Sequence, residues 1–537
     1  MPKRSAVDNM FQFERMARHT MNRLLERQGL VFTLVFVWKV ALLLLSAQPI
    51  PSNDSFFYDG PVVHLLTQGG YYNPSISLAR PISGTEVFSA YPPLYQVVLL
   101  IWMSVFGTSA WSAMWLHVIL FGCYLLTVFA IFRQLAVPAR CANLAGLFLF
   151  VITFHDRPDS LAILMGMLAV YAWVRAQSAT PNSAKSSSTQ LWFWLSAGFE
   201  ALTLFTSLQI GAVYLAWIWL ASLTDWKILQ KPLPILPLAS TVVAPLGLIA
   251  LVYFGFPRLW AGFIENVHNN PSLTGLRPPA VADLLKVGRN VSGILILAGL
   301  VLLNLPRRRP WLNAVRWGER EVVLVCGMVV AVLLAAGCVS VVTPNWVSAA
   351  IYFQPLLVGL FLASAEAFLS IRLGRVGTMF VVIAPACLAC IRAVGMSTWG
   401  VACAADVSYS SAMQRVRHEV QQTPPGANVV LSSAYLYETA RATNGFWIHE
   451  DYPTAPKSGE SFTDSMRRLK VHELILTQFD YYRRYQPVLE ELRSSKGSVD
   501  FTVVDAAHVR PPDSYQKLRQ VLQHISWAPV IVTLDWK

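Results

Sequence analysis

The chain has 537 residues, 55% of them hydrophobic and only 13% charged, with a net charge of +12. Soluble domains carry roughly 25% charged residues, so the composition excludes an ordinary soluble protein and points to an integral membrane one. The basic residues lie mostly in short loops between apolar spans, which speaks for membrane topology and against nucleic acid as a partner.

Residues 1–30 are polar and basic and are read as a cytoplasmic N-terminal segment rather than a cleavable signal peptide. A helix crossing the hydrocarbon core needs about 20 apolar residues. Stretches of that kind fall near 31–47, 111–132, 139–154, 159–175, 191–206, 208–223, 233–256, 289–305, 321–343, 347–370 and 376–399, which makes about eleven transmembrane helices. With the N-terminus inside, Arg133 with Arg140, Arg175 with Lys185, Lys227 with Lys231, Arg307 with Arg316 and Arg372 with Arg375 all fall on the cytoplasmic side. The short apolar run Leu94–Phe106 breaks this alternation if it crosses. It is therefore predicted as a re-entrant or juxtamembrane helix within a first external loop, 48–110.

Past residue 403 the composition changes. Strand-like runs at 428–431, 473–477, 501–505 and 530–534 alternate with helix-like runs at 411–422, 462–469, 487–494 and 514–524. That alternation predicts a small external α/β domain, 404–537, with a mainly parallel sheet. It holds no GxGxxG or GxxxxGK[ST] loop, so nothing speaks for a nucleotide. Six of the seven cysteines lie in apolar segments and none in the C-terminal region, which leaves no disulfide framework and no metal spacing. The expected fold class is mostly α: a polytopic membrane domain, 31–403, followed by the α/β domain.

Two acidic clusters stand at the ends of spans on the external side. Asp54 follows the first span in Ser52-Asn53-Asp54-Ser55-Phe56-Phe57-Tyr58-Asp59-Gly60, and His155-Asp156-Arg157-Pro158-Asp159 follows the third. Carboxylates at the membrane face are costly unless they have a partner or a task. Asp59, ahead of Gly60-Pro61, is read as a turn residue.

Asp54, Tyr58, Gly69-Gly70-Tyr71-Tyr72 and Tyr91-Pro92-Pro93-Leu94, followed by Arg157-Pro158-Asp159-Ser160-Leu161-Ala162, resemble the external-loop motifs of the GT-C glycosyltransferases. The likeness runs to the protein O-mannosyltransferase and aminoarabinose transferase branch and covers residues 31–175 best. It implies transfer of a sugar from a polyprenyl-phosphate donor to an acceptor hydroxyl at the external face. By position it makes Asp54 the general base, with Asp159, ahead of Asp156, orienting the acceptor or the base. In the aminoarabinose branch a Lys commonly precedes the Pro-Pro pair, and here that residue is Tyr91. The cation for the donor phosphate is then sought among Arg80, Arg157 and Arg258. Tyr58, Glu265 and His268 are candidate acceptor contacts.

The resemblance fixes no cofactor and assigns no metal site, although Asp54, Asp156 and Asp159 leave a divalent metal open. It implies membrane lipids and a lipid-linked sugar as partners and an acceptor that is a glycan, a lipid or a protein. A lack of secretory-pathway features and the compact domain favour a bacterial inner membrane, which makes the C-terminal domain periplasmic. Two other functions remain open: a transporter or flippase, and a pyrophosphate-donor polysaccharide ligase or polymerase.

Overall fold

The computed structural model describes residues 29–46, 55–71, 92–147, 158–177, 187–229 and 233–257 of the membrane domain, and 407–439, 446–449, 462–494, 499–505 and 528–536 of the C-terminal region. To these it adds isolated positions at 27, 260, 261, 264, 391, 394, 395, 398 and 405. Apart from the isolated positions, the four spans expected between 289 and 399 lie outside the described residues, as does the helix expected at 514–524.

The described membrane helices are α1 (Leu30–Ser46), α2 (Ser55–Gln68), α3 (Leu94–Phe106), α4 (Ala110–Gln134), α5 (Ala139–Leu147), α6 (Pro158–Gln177), α7 (Ser187–Thr206), α8 (Leu208–Leu229) and α9 (Ile235–Gly255). Among the described residues, α4, α6 and the Ile235–Val252 stretch of α9 are long and apolar enough to cross a membrane. The helix starts follow local chemistry. Ser109 caps α4 by accepting from the Ser112 amide at 3.2 Å, and Pro158 opens α6, where its missing N–H costs nothing. The α3 helix coincides with the expected short run.

The bundle packs around α4 and α6, with Tyr124, Val128, Met167, Tyr214 and Trp217 fully buried between them and α8. Several of its polar groups are paired across helices. The Ser196 hydroxyl donates to the Ala169 carbonyl at 2.8 Å, and the indole N–H groups of Trp173 and Trp219 donate to Ser222 and Thr241, each at 3.0 Å. The α9 face carrying Leu236, Val243, Leu246, Leu251 and Phe254 points outward, as a lipid-facing helix requires.

Only Ser207 separates α7 from α8, and the close return depends on Gly211. A Cβ there would sit 2.6 Å from the Cα of Leu204, a backbone atom that cannot swing aside. Gly211→Ala is therefore expected to destabilise by about 1–3 kcal/mol through overpacking, seen as a lowered thermal midpoint of the solubilised protein. Gly198→Ala, where nothing lies within 4 Å, serves as the control and leaves the midpoint unchanged or raised. Equal midpoints for the two variants would contradict this packing.

The C-terminal domain runs α10 (Tyr409–Gln422), β1 (Asn428–Leu431), a 3₁₀ turn (Ser433–Tyr435), α11 (Leu436–Thr439), β2 (Phe446–His449), α12 (Phe462–Leu469), β3 (Val471–Thr477), helical turns over 478–485, α13 (Gln486–Ser494), β4 (Val499–Asp505) and β5 (Pro529–Trp536). Sheet order is β2-β1-β3-β5-β4. Strands β1, β2 and β3 pair in parallel, whereas β5 is antiparallel to both β3 and β4. The expected mainly parallel sheet is corrected to a mixed one, in which β5 returns between two strands that run the other way. Alternation along the strands splits the core by face. Val429, Leu431 and Ile475 meet Ala412, Met413, Val416 and Val420 of α10, while Val430, Leu474 and Leu476 face the side of α12 and α13. Strand β2 was not among the expected strands.

Glu473 sits within this sheet at 7% exposure and accepts from the Thr423 hydroxyl at 3.5 Å. Burial, aided by nearby Glu419, pushes its carboxyl up to about 7, and the Thr423 bond only partly opposes this. An acid raised from 4.5 holds its proton in the folded chain after the unfolded chain has lost it. Stability is thus highest below the lower value and falls as pH rises between the two. Glu473→Gln is expected to raise the unfolding free energy of this domain at pH 8.5 by about 1–3 kcal/mol, seen as a raised unfolding midpoint, and to leave the midpoint unchanged at pH 4. Equal effects at both pH values would remove the titration as the cause.

Candidate active site

The segment expected as the first external loop contains α2, which begins at Ser55, the residue after Asp54 in the sequence. Asp59 lies in its second turn, is 1% exposed, and accepts hydrogen bonds on both oxygens. Tyr95 of α3 donates its hydroxyl to Oδ1 at 3.0 Å, and Tyr437 of α11 donates its hydroxyl to Oδ2. The Tyr95 oxygen lies 3.0 Å from Nε2 of His117 on α4, with the two rings stacked at 5.8 Å. A phenol has one proton. With that proton on Asp59, the arrangement closes when His117 donates from Nε2 to the Tyr95 oxygen.

A buried carboxylate without hydrogen bonds is strongly disfavoured, and hydrogen bonds to an ionised group are the strong kind. Asp59 is therefore the point where α2, α3, α4 and the C-terminal domain are tied together. This corrects the reading of Asp59 as a turn residue. Gly60 and Pro61 continue the helix instead of ending it, because the buried contacts of α2 outweigh the bond that an internal Pro removes. At the far end of α2, the ring of His64 donates from Nδ1 to the Gly70 carbonyl at 2.6 Å. Burial pushes the phenol of neighbouring Tyr71 well up, so it stays protonated.

Tyr58 is 5% exposed and belongs to the apolar core beside Val62 and Val63. Asp159 lies half-buried in the first turn of α6, next to the buried Ser160, where a helix N-terminus favours a carboxylate. Asp54, Asp156, Arg80, Arg157, Arg258, Glu265 and His268 lie outside the described residues. Among the described residues no group of three or more His, Cys, Asp or Glu side chains stands ready for a metal.

No family model matches the chain, and no curated protein does. Among solved structures, the apo form of ArnT from Cupriavidus metallidurans aligns with a TM-score of 0.50 at 13% identity, covering 93% of this chain and 97% of that one. The fold is that of the aminoarabinose transferase ArnT. ArnT from the same organism bound to undecaprenyl phosphate aligns at 0.48 and 14% identity, covering 93% and 98% of the two chains. The Archaeoglobus fulgidus oligosaccharyltransferase in complex with Zn and sulfate aligns at 0.46 and 12% identity, covering 83% and 68%. ArnT and the archaeal enzyme are both GT-C glycosyltransferases. A shared fold alone does not fix chemistry, so the likeness to ArnT is here a statement about architecture.

Within this ArnT-like architecture, sequence reasoning missed Tyr95, His117 and Tyr437. His117 carried a usable signal, as an ionisable side chain inside a long apolar helix. Tyr437 carried none, since 378 residues separate it from Asp59.

Proposed function

We propose that the protein is a GT-C glycosyltransferase that moves a sugar from a polyprenyl-phosphate donor to an acceptor hydroxyl at the external face of the membrane. The observation that carries this is the ArnT-like fold, aligned across 93% of the chain, and the order of the Asp54, Tyr91-Pro92-Pro93 and Arg157-Pro158-Asp159 motifs in the sequence supports it. ArnT binds undecaprenyl phosphate, which fits a lipid-phosphate leaving group.

In this reading the carboxylate of Asp54 accepts the proton of the acceptor hydroxyl as its oxygen attacks the anomeric carbon. The bond from that carbon to the phosphate oxygen breaks, and the lipid phosphate departs with the electron pair. Its developing charge is met by guanidinium groups from Arg80, Arg157 and Arg258. Asp159, with Asp156 as the alternative, orients the acceptor or the base. The membrane domain has about eleven spans over residues 31–403 and residues 404–537 form the external domain, in a bacterial inner membrane.

A transport function is the second reading, and Glu200 favours it. This residue is fully buried inside α7, and among the described residues neither carboxylate oxygen has a hydrogen-bond partner, a placement common in substrate and proton pathways. Proteoliposomes given polyprenyl-phosphate sugars separate the two. A transferase consumes the donor and leaves bare polyprenyl phosphate, whereas a flippase moves the donor across the bilayer intact.

A further inference from the structure

We propose that the C-terminal domain is a positioning device for the catalytic loop, with Tyr437 holding Asp59 and, through α2, setting the place of Asp54. This rests on the glycosyltransferase reading for the role of Asp54. It assigns a task to the external domain and to Tyr437, Asp59, Tyr95 and His117, none of which enters the chemistry above.

Tyr437 belongs to the C-terminal domain by sequence but is 3% exposed and lies in the apolar core of the membrane domain. Both α11 and the 3₁₀ turn ahead of it pack on α2. A second contact, 6.2 Å between the rings of Trp111 and Tyr409 in edge-to-face geometry, fixes the start of α10 against α4. The domain thus grips the membrane bundle at two separate places, one of them α2 itself.

The segment that carries Tyr437 is itself rigid. On one side, the amide of Ser432 donates to the Ile475 carbonyl at 3.0 Å, and the Thr477 amide donates to the Ser432 hydroxyl at 2.9 Å. The same hydroxyl donates to Asp480, which also accepts from the Thr477 hydroxyl at 2.7 Å. On the other side, Arg417 of α10 pairs with Glu438 at 2.7 Å, with Glu438 only 11% exposed. Between these anchors Tyr435 is fully buried, and burial together with Asp480 and Asp505 keeps its phenol protonated. Tyr437 is therefore presented from the sheet as a fixed donor.

Asp59 receives that donor while Tyr95, backed by His117, donates from the membrane side. An acceptor held from two directions by elements of different domains has one stable position. Asp54 stands in sequence directly before Ser55, the first residue of α2, and in the glycosyltransferase reading a shift of α2 reaches the base. Displacing a reacting group by about 1 Å can cost about 10²-fold in rate. Removing the Tyr437 hydroxyl leaves the ring and its packing and releases α2 on one side only.

The experiment compares wild type, Tyr437→Phe and Asp59→Asn as full chains in nanodiscs, by amide hydrogen exchange over residues 55–68 and by donor turnover. Both variants are expected to raise exchange across 55–68 about tenfold or more, while α4 and α6 keep wild-type protection. Turnover is expected to fall about 10–100-fold in kcat with KM for the donor changed less than about threefold. Unchanged exchange over 55–68 overturns the proposal whatever the rate does. So does raised exchange with an unchanged kcat, and so does a uniform loss of protection throughout the bundle, which would mark ordinary destabilisation. A wild type that turns over no donor removes the glycosyltransferase reading instead, and the exchange comparison then decides the coupling by itself.

Discussion

Asp54→Asn is expected to abolish sugar transfer, lowering kcat about 10²–10⁴-fold, in a protein that still inserts and melts at the wild-type temperature. The amide matches the carboxylate in shape but cannot take the proton that the acceptor must lose as it attacks. Loss of the base stops chemistry and leaves binding, so KM for the donor should change little. The amide keeps the size of the carboxylate, and in the variant Asp59 still ties α2 to its neighbours by accepting from Tyr95 and Tyr437. A paired measurement of turnover and thermal midpoint checks both halves. Full activity in the variant would remove Asp54 from the centre of the reaction.

Arg157→Ala is expected to cost about 10²–10³ in kcat. The leaving lipid phosphate needs a cation that is charged at every physiological pH and matches two of its oxygens at once, which a guanidinium does and an ammonium does not. Arg157→Lys should therefore recover only part of the loss. Arg157 directly precedes Pro158, the first residue of α6, so it belongs to the same short segment as Asp159. The same substitution at Arg80 and Arg258 ranks the three residues, and Tyr91, standing where the aminoarabinose transferase branch commonly has Lys, makes that ranking informative. If Arg157→Ala and Arg157→Lys both keep wild-type kcat, the phosphate is held elsewhere.

Much of the fold was legible because its signals are local. The apolar runs that became α4, α6 and α3 are set by length and hydropathy, and four of the five described strands by short β-branched runs. The direction of β5 was not legible: Val530, Ile531, Val532 and Leu534 are buried and so mark a central strand, but burial carries no arrow. Asp59 was misjudged for the opposite reason. Gly60-Pro61 is a strong local turn signal, and tertiary contacts overrode it. Asp54 and the arginines proposed for the donor phosphate were read from motifs alone and lie outside the described residues, while the network around Asp59 joins residues from four separate elements.

The central claim is that bond-breaking at a lipid-phosphate sugar depends on Asp54. The most direct test is mass analysis of the lipid product after purified, reconstituted wild type and Asp54→Asn are each given a panel of polyprenyl-phosphate sugars with candidate acceptors. The account predicts polyprenyl monophosphate from the wild type with at least one sugar, and none above background from the variant. Equal release by both proteins, or turnover of pyrophosphate-linked donors alone, would contradict it.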